Sequence, residues 1–476
     1  MNLETFFLLS QWFFISYFIL QASCYLMLNF SAMISISRYM GELSLSKIQG
    51  AATADVMPPI SLIVPAYNEE LTIINSIQAL LQLDYPEYEI IVINDGSTDN
   101  TFQKIIDYFE LKPFPEAYRQ RLKTQPVKQF YTNKQRHKLR FIDKENGGKA
   151  DAINVGINAS RYPLFCTVDA DSILQHNSLQ RIVQPFLDDP STVASGGTVR
   201  VVNGCSVKKG FMYKAGLPKN YLALFQIVEY IRAFLFGRLG WSPMNALLII
   251  SGAFGLFHKE TVVSVGGYSA DTIGEDMELV VRLHRLLRKR KQKYRITFVP
   301  DPICWTEAPE SLRVLQHQRI RWQRGLAESL SKNMGLLFHP KSGALGFLAF
   351  PFMMFFEWLG PVVEVFGYII ITVGFATDFI NLHTFLVLMG IAVGFGILLS
   401  VTALLLEEMS FHIYERPVEL FRLFLATIVE NFGYRQLNSV WRLIGLVQWV
   451  VGKKAAWGEM TRSSNWQKDQ SSRAND

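Results

Sequence analysis

Cysteine is scarce in this chain: four residues in 476, at positions 24, 166, 205 and 304, with no Cys-x-x-Cys pair. Neither a disulfide framework nor a structural zinc site is expected, and reduced thiols on a cytosolic domain fit the pattern. Charge is scarce too, at 18% of residues, against about 25% in soluble proteins. The balance of 47 Lys+Arg to 41 Asp+Glu leaves a net charge of only +6. Apolar residues at 49% exclude intrinsic disorder and a collagen-like fibre. The chain has no Gly-x-Gly-x-x-Gly after a strand and no Gly-x4-Gly-Lys-Ser/Thr, so a dinucleotide oxidoreductase or a P-loop NTPase is unsupported. Gly147-Gly148-Lys149 resembles a P-loop only superficially. There is no internal repeat and no low-complexity run.

The apolar excess is concentrated at the two ends. Thr5 to Ser37 contains no charged residue, enough to cross a ~30 Å hydrocarbon core at ~1.5 Å per residue. The start, Met-Asn-Leu-Glu, lacks the basic residues of a signal peptide. Arg38 and Lys47 follow the run, which places what comes after it in the cytoplasm. Ala344 to Thr377 is interrupted only by Glu357 and Glu364, and Phe379 to Leu406 only by His383, with Asp378 as a turn between them. The two glutamates stand seven apart, on one helical face that should meet protein or water, unless they snorkel to the interface. Leu420 to Val451 carries Arg422, Glu430, Arg435 and Arg442, which make a lipid-facing span costly, so an interfacial helix or a protein-lined hairpin suits it equally well. The expected division is 1–57 for the first membrane helix and linker, 58–335 for a soluble block, 336–462 for membrane or interfacial helices, and a polar, fraying tail from Ser463.

Within 58–335, short apolar runs alternate with helical spacing. Strands are predicted at Ile60–Pro65, Glu89–Asp95, Leu139–Asp143, Leu164–Asp169 and Thr198–Val202. Helices are predicted at Glu69–Leu83, from Asn100, and at Lys149–Ala159, Asn177–Leu187, Met277–Leu287 and Ser311–Leu330. Apolar strands between helices argue for an α/β fold with a mostly parallel sheet, whose ligands bind beyond the carboxyl ends of the strands. Asp95 closes one strand, and Asp169 with Asp171 closes another.

Each polar cluster has a plain and a chemical reading. Asp169-x-Asp171 reads as a surface turn or as an oxygen site for a hard divalent cation shared with a diphosphate. The Asn94–Asp99 stretch reads equally as an Asx-type turn into a helix or as a nucleotide contact through Asp95. Glu275-Asp276 complements a helix dipole, or supplies a general base for an acceptor hydroxyl. Gln318, Arg321 and Trp322, at i, i+3 and i+4, present one face suited to phosphate and a sugar ring, or anchor an interfacial helix in headgroups. The basic run Arg282 to Arg295 is a solvated or lipid-attracted face. It lacks the interleaved aromatics and groove-reading module of a nucleic-acid binder, so no nucleic-acid partner is expected.

Taken in order, Pro65-Ala-Tyr-Asn-Glu69, the Asp95 turn, Asn146-Gly-Gly-Lys-Ala-Asp151, Asp169-x-Asp171, Gly274-Glu-Asp276 and Gln318-x-x-Arg321-Trp322 resemble the family 2 glycosyltransferases of the GT-A fold. The similarity is strongest to the membrane-embedded cellulose, chitin, hyaluronan and poly-N-acetylglucosamine synthases. The resemblance covers Pro58 to Leu330 by motif and the flanking helices by architecture. It implies a cytosolic GT-A domain on a multi-pass protein of the plasma or inner membrane. It also implies a UDP-sugar donor, Mg²⁺ or Mn²⁺, and a polysaccharide or lipid-linked acceptor, with membrane lipid around it and an export partner or homo-oligomer left open. Tyr67, Glu69, Asp95, Lys149, Asp169 and Arg321 would then bind the nucleotide sugar. Asp169 and Asp171 would hold the metal, Ser251, Gly252, Gln318 and Trp322 would line the acceptor site, and Asp276, beside Glu275, would be the base of an inverting transfer. Two features depart from the relatives: Gly rather than Thr precedes the acidic pair, and Phe109 to Arg140 looks inserted. The rival expectations are a single-transfer enzyme acting on a membrane lipid and an inactive membrane scaffold.

Overall fold

The computed structural model describes residues 2–49, 57–208 and 210–453; the rest of the linker and the tail from Ser463 lie outside the described residues. In chain order the elements begin with α1 (Leu3–Gln49), β1 (Ile60–Ala66), α2 (Ile73–Leu80), β2 (Tyr88–Asp95), α3 (Thr101–Phe109), β3 (Lys112–Pro113), β4 (Val127–Thr132) and β5 (Leu139–Lys144). Next come α4 (Lys149–Ala159), β6 (Leu164–Val168), β7 (Ile173–Leu174), α5 (Ser178–Asp188), β8 (Thr192–Val201), β9 (Ser206–Lys208), β10 (Phe211–Lys214) and α6 (Tyr221–Ile231). They continue with β11 (Phe254–His258), α7 (Lys259–Ser264), α8 (Glu275–Lys289), β12 (Arg295–Thr306) and α9 (Leu312–Ser331). The chain then runs through a bent pair, α10 (Leu345–Trp358) and α11 (Gly360–Ala376), to α12 (Leu382–Ser410), α13 (Pro417–Val429) and α14 (Tyr434–Val450).

These elements fall into two units. One holds 39–219 and 245–308 of the described residues, and the other holds the chain up to Arg38 with Asn220–Met244 and the residues from Pro309 on. Helices α6 and α9 thus group with the long apolar helices, although α6 lies between two strands in the sequence and α9 follows one.

The first unit is built on a ten-stranded sheet in the order β3-β4-β5-β2-β1-β6-β11-β8-β12-β7. Strands β1, β2, β5 and β6 pair in parallel, as do β8 and β12. The expectation of a mostly parallel sheet holds for this core. Each residue of β2 is buried, as is nearly all of β1, which is why these runs lack alternation: helices cover both faces. Helix α4 packs on β1 and β2 and is itself buried from Ala150 to Ala159. The stretch that looked inserted supplies β3 and β4, which extend the sheet antiparallel at one edge, and the terminal strand is two residues long and contains Pro113. Buried Arg140 ties this extension down, bonding Glu89 at 3.0 Å and Glu116 at 2.6 Å.

β11 and β12 were not anticipated. β11 inserts antiparallel between β6 and β8. β12 carries Pro300 and Pro302 and shifts register against β8 around them, and prolines demote a run that would otherwise read as a strand. The Thr198 hydroxyl supplies its one proton at this break, 2.9 Å from the Pro300 carbonyl and 3.2 Å from that of Val299. Because β1 feeds β2 on one side and stands beside β6 on the other, the order reverses at β1. The crevice beyond the carboxyl ends of these strands is where such sheets take ligands.

In the second unit, α1 over Leu3–Gly41 and α12 are each long and apolar enough to cross a membrane, and the bent pair α10–α11 would make a third. The segment expected as one helix is broken by a 44° bend, so Glu357 and Glu364 do not share one straight face. Both nevertheless meet protein: Glu357 accepts from Tyr25 at 2.6 Å and pairs with Arg442 at 3.0 Å, and Glu364 accepts from Ser439. Asp378 lies in the α11–α12 turn with φ 57°. Leu420 to Val451 forms a helical hairpin, α13 and α14, in which Glu430, Arg435 and Arg442 meet protein partners. Glu430 is fully buried and pairs with Arg232 at 2.7 Å.

Candidate active site

Glycine and lysine in an unusual order set up the centre of the site. Gly148 caps α4 with φ 86° and ψ 169°, a conformation essentially closed to residues with a side chain. Lys149 therefore begins a helix, the end where a positive charge opposes the dipole. Its ammonium lies 2.5 Å from Asp169 at the end of β6 and 3.9 Å from Glu275 at the start of α8. Burial alone would lower this lysine, but Asp169, Glu275 and Asp276 outweigh it and hold the ammonium above its ordinary value. Glu275 is buried. Desolvation, eased by Lys149 and reinforced by Asp276, pushes its carboxyl up to about 7.

Asp276 is held by two amides: Gly252 N–H donates to Oδ2 at 3.1 Å, and Met277 N–H donates to Oδ1 at 2.7 Å. A Cβ on Gly252 would stand 3.2 Å from Lys149 Nζ and 3.6 Å from Asp276 Oδ2, tight against the ammonium and in ordinary contact with the carboxylate. Ser251 precedes it, its hydroxyl accepting from Ala253 N–H at 3.4 Å. The structure thus brings Lys149, Asp169, Gly252, Glu275 and Asp276 into one cluster. Asp171 is buried beside Asp169, two residues on.

At the end of β1, Tyr67 is 47% exposed, an aromatic face open to solvent. The adjoining loops are knitted together: Glu69 N–H donates to Thr101 at 2.8 Å, and Thr98 N–H donates to Asn68 at 2.8 Å. Glu69 accepts from the Thr72 hydroxyl at 2.8 Å.

Asp95 is used by the chain itself. One oxygen accepts from Lys144 Nζ at 2.5 Å and Gly147 N–H at 3.0 Å, and the other accepts from Gly148 N–H at 2.8 Å. Lys144, wholly buried, also pairs with Asp151 at 2.8 Å. Burial raises Asp95 despite these donors. Sequence reading missed Lys144, whose only signal was a lysine at the end of an apolar strand, normally an exposed position.

Gln318, Arg321 and Trp322 belong to the other unit, on α9. Gln318 is buried, and its amide oxygen has no partner among the described residues; Trp322 is 44% exposed. Arg319, which the motif passes over, is the buried one of the two arginines. It forks onto Glu229 at 2.7 and 2.8 Å and lies 4.5 Å from the Trp322 ring centre.

Comparison with known proteins bears on this arrangement. The profile of Glycosyl transferase family 2 matches residues 61–223, and that of Glycosyl transferase family group 2 matches residues 164–401, half of the chain. The chain belongs to glycosyl transferase family 2. Its family 2 relatives include the poly-beta-1,6-N-acetyl-D-glucosamine synthase of Staphylococcus epidermidis, 29% identical over 314 residues. The synthase of that name from Staphylococcus aureus is 31% identical over 316 residues. Each match covers 66% of this chain and 65% of the relative's own length. Among solved structures, a mannosyltransferase of Pyrobaculum calidifontis, in complex with GDP-Man and Mn²⁺, is 18% identical with a TM-score of 0.49. That match covers 87% of this chain and 99% of the mannosyltransferase. The family 2 sheet described above is the GT-A fold.

Proposed function

We propose that this chain is a membrane glycosyltransferase that moves a sugar from a UDP-sugar, with inversion, onto a growing exopolysaccharide. The observation that carries the proposal is the cluster of Lys149, Asp169, Gly252, Glu275 and Asp276. It pairs a cation suited to diphosphate with a carboxylate fixed by two amides, at the strand ends of a family 2 fold. The polymeric products in the relatives' names favour polymer over a single transfer to lipid. The candidate spans support a reaction at a membrane, and coupling of synthesis to export is part of the proposal.

In this reading Asp276 takes the proton of the acceptor hydroxyl as its oxygen bonds to the anomeric carbon. The bond from that carbon to the UDP oxygen breaks on the opposite face, and the electron pair leaves with the diphosphate. Lys149 stabilises the departing charge, as does Arg321 by the role the resemblance assigns it. Pre-organised charge of this kind is where most of the rate gain arises. Tyr67 and Glu69 flank the nucleotide, and Gln318 and Trp322, with Ser251, serve the acceptor. Asp95 serves the nucleotide through the Gly147–Gly148 loop that it holds.

Among the described residues no three His, Cys, Asp or Glu side chains gather as a metal site. Asp169 and Asp171 alone fit an ion of the Mg²⁺ or Mn²⁺ type that completes its sphere with phosphate oxygens and water. Bound there, the ion would neutralise charge on the leaving diphosphate. The test is UDP release from a panel of UDP-sugars with divalent metal, headed by UDP-N-acetylglucosamine, followed by size and linkage analysis of the product. Polymer supports the proposal, and no UDP release from any donor overturns it.

A further inference from the structure

One fully buried titratable side chain near the site takes no part in that chemistry: His284, on α8. Residues 246–250 run through the interior without regular secondary structure, with Ala246, Leu247, Leu248 and Ile250 all buried. They lead directly to Ser251 and Gly252. A buried strap of this kind has no ladder to satisfy its carbonyls, and each must find another donor. His284 Nε2 lies 2.8 Å from the Leu247 carbonyl, and Nδ1 lies 2.7 Å from the Tyr294 hydroxyl. Arg288 Nε in turn lies 2.7 Å from the same hydroxyl.

The direction of every bond in this chain of contacts is dictated. A guanidinium can only donate, so the Tyr294 oxygen accepts from Arg288. A carbonyl can only accept, so His284 carries its proton on Nε2. Nδ1 is then bare and accepts the Tyr294 proton. Asn245, at the head of the strap with φ 48°, is pinned as well. Its amide donates to the Tyr294 carbonyl at 2.9 Å and accepts from Ile296 N–H at 2.9 Å.

The geometry points to His284 as a positioning residue for the transfer step, fixing the 247–252 strap in register with α8 so that Gly252 presents its N–H to Asp276. The strap and the helix are joined at two places, Leu247 to His284 and Gly252 to Asp276, eight residues or ~12 Å apart along the helix. Releasing the first contact frees the strap to slide and removes the amide from the proposed base. Desolvation pushes the imidazole down to about 3, so the ring stays neutral in the tautomer this role requires.

The inference rests on the proposed role of Asp276, and two variants test it in the full-length protein in detergent with UDP-N-acetylglucosamine. His284→Gln retains a donor near Nε2 for Leu247 and loses the Nδ1 acceptor. His284→Asn retains an acceptor near Nδ1 for Tyr294 and loses the donor. We expect the Asn variant to lose at least tenfold in kcat with donor KM within twofold, since a displacement of about 1 Å can cost a hundredfold. The Gln variant should stay within about threefold of the parent. Hydrogen exchange reports without turnover: amides of 247–252 should exchange faster in the Asn variant alone. Equal kcat and equal exchange in both variants overturn the inference. So does a parallel loss of kcat, donor KM and fold in both, which would mean a purely structural histidine. If exchange distinguishes the variants but no donor turns over in the parent, the glycosyltransferase reading fails and the clamp stands.

Discussion

Replacing Glu275 by glutamine should stabilise the protein, and the gain should depend on pH. A carboxyl moved from its ordinary 4.5 up to about 7 corresponds to about 3 kcal/mol at 1.36 kcal/mol per pKa unit. This value already contains the attraction of Lys149 at 3.9 Å, so the charge lost in the variant is not a separate term. Between pH 4.5 and 7 the folded chain keeps a proton that the unfolded chain has released. Stability of the parent therefore falls as pH rises through that window and is level above it. Glutamine cannot ionise and is free of this loss. Below pH 4.5 the two proteins should unfold at similar temperatures, and above pH 7 the variant should unfold higher. At about 2–4 °C per kcal/mol for a unit of this size the separation is on the order of 10 °C. Scanning fluorimetry in detergent, without donor or metal, from pH 4.5 to 8.5 measures it. Midpoints that stay parallel across the range would refute the argument that desolvation controls this carboxyl.

Asp276→Asn should bind UDP with little change and abolish transfer; turnover retained at a tenth of the parent's rate or more would remove Asp276 as the base. Chelating divalent metal, or Asp171→Asn, should suppress UDP release, and full release in EDTA would show that the carboxylate pair does not need an ion. Lys144→Met leaves Asp95 and Asp151 without this buried counter-charge, and should cost about 3–5 kcal/mol of stability, readable as a fall in unfolding midpoint. Trp322→Ala should shorten the product far more than it weakens UDP binding, while Trp322→Phe retains length; full-length product from the Ala variant would show that this ring is not an acceptor platform.

Much of the candidate site was legible because it depends on local order. A strand buried on both faces must be apolar, and a residue closing it must stand at the sheet's edge, so Asp95, Asp169 and Asp171 could be placed from their neighbours alone. The predicted boundaries of α4 and β2 nearly coincide with the observed ones for that reason. Glu69 to Leu83 was less legible: regular helix covers only Ile73–Leu80. The residues before it serve as loop anchors, held by Ser97, Asp99 and Thr101 of the segment that leads from the neighbouring strand β2 into α3.

By itself the sequence determined the alternation of strands and helices, the acidic strand ends, the lysine after two glycines and the presence of apolar runs long enough for a bilayer. All of these follow from hydrophobic period and from the stereochemistry of neighbouring residues. Only the tertiary structure decided that β11 pairs with β6, bringing His258 opposite Leu164, and that the 344–377 segment bends. It also decided that Arg319 rather than Arg321 is the buried arginine on Glu229, and that Lys144 pairs with one oxygen of Asp95. These choices are made by partners far away in the chain, whose burial cancels or creates the need for a counter-charge. No local pattern contains that information, because the cost of leaving a charge unpaired exists only once the fold has removed its water.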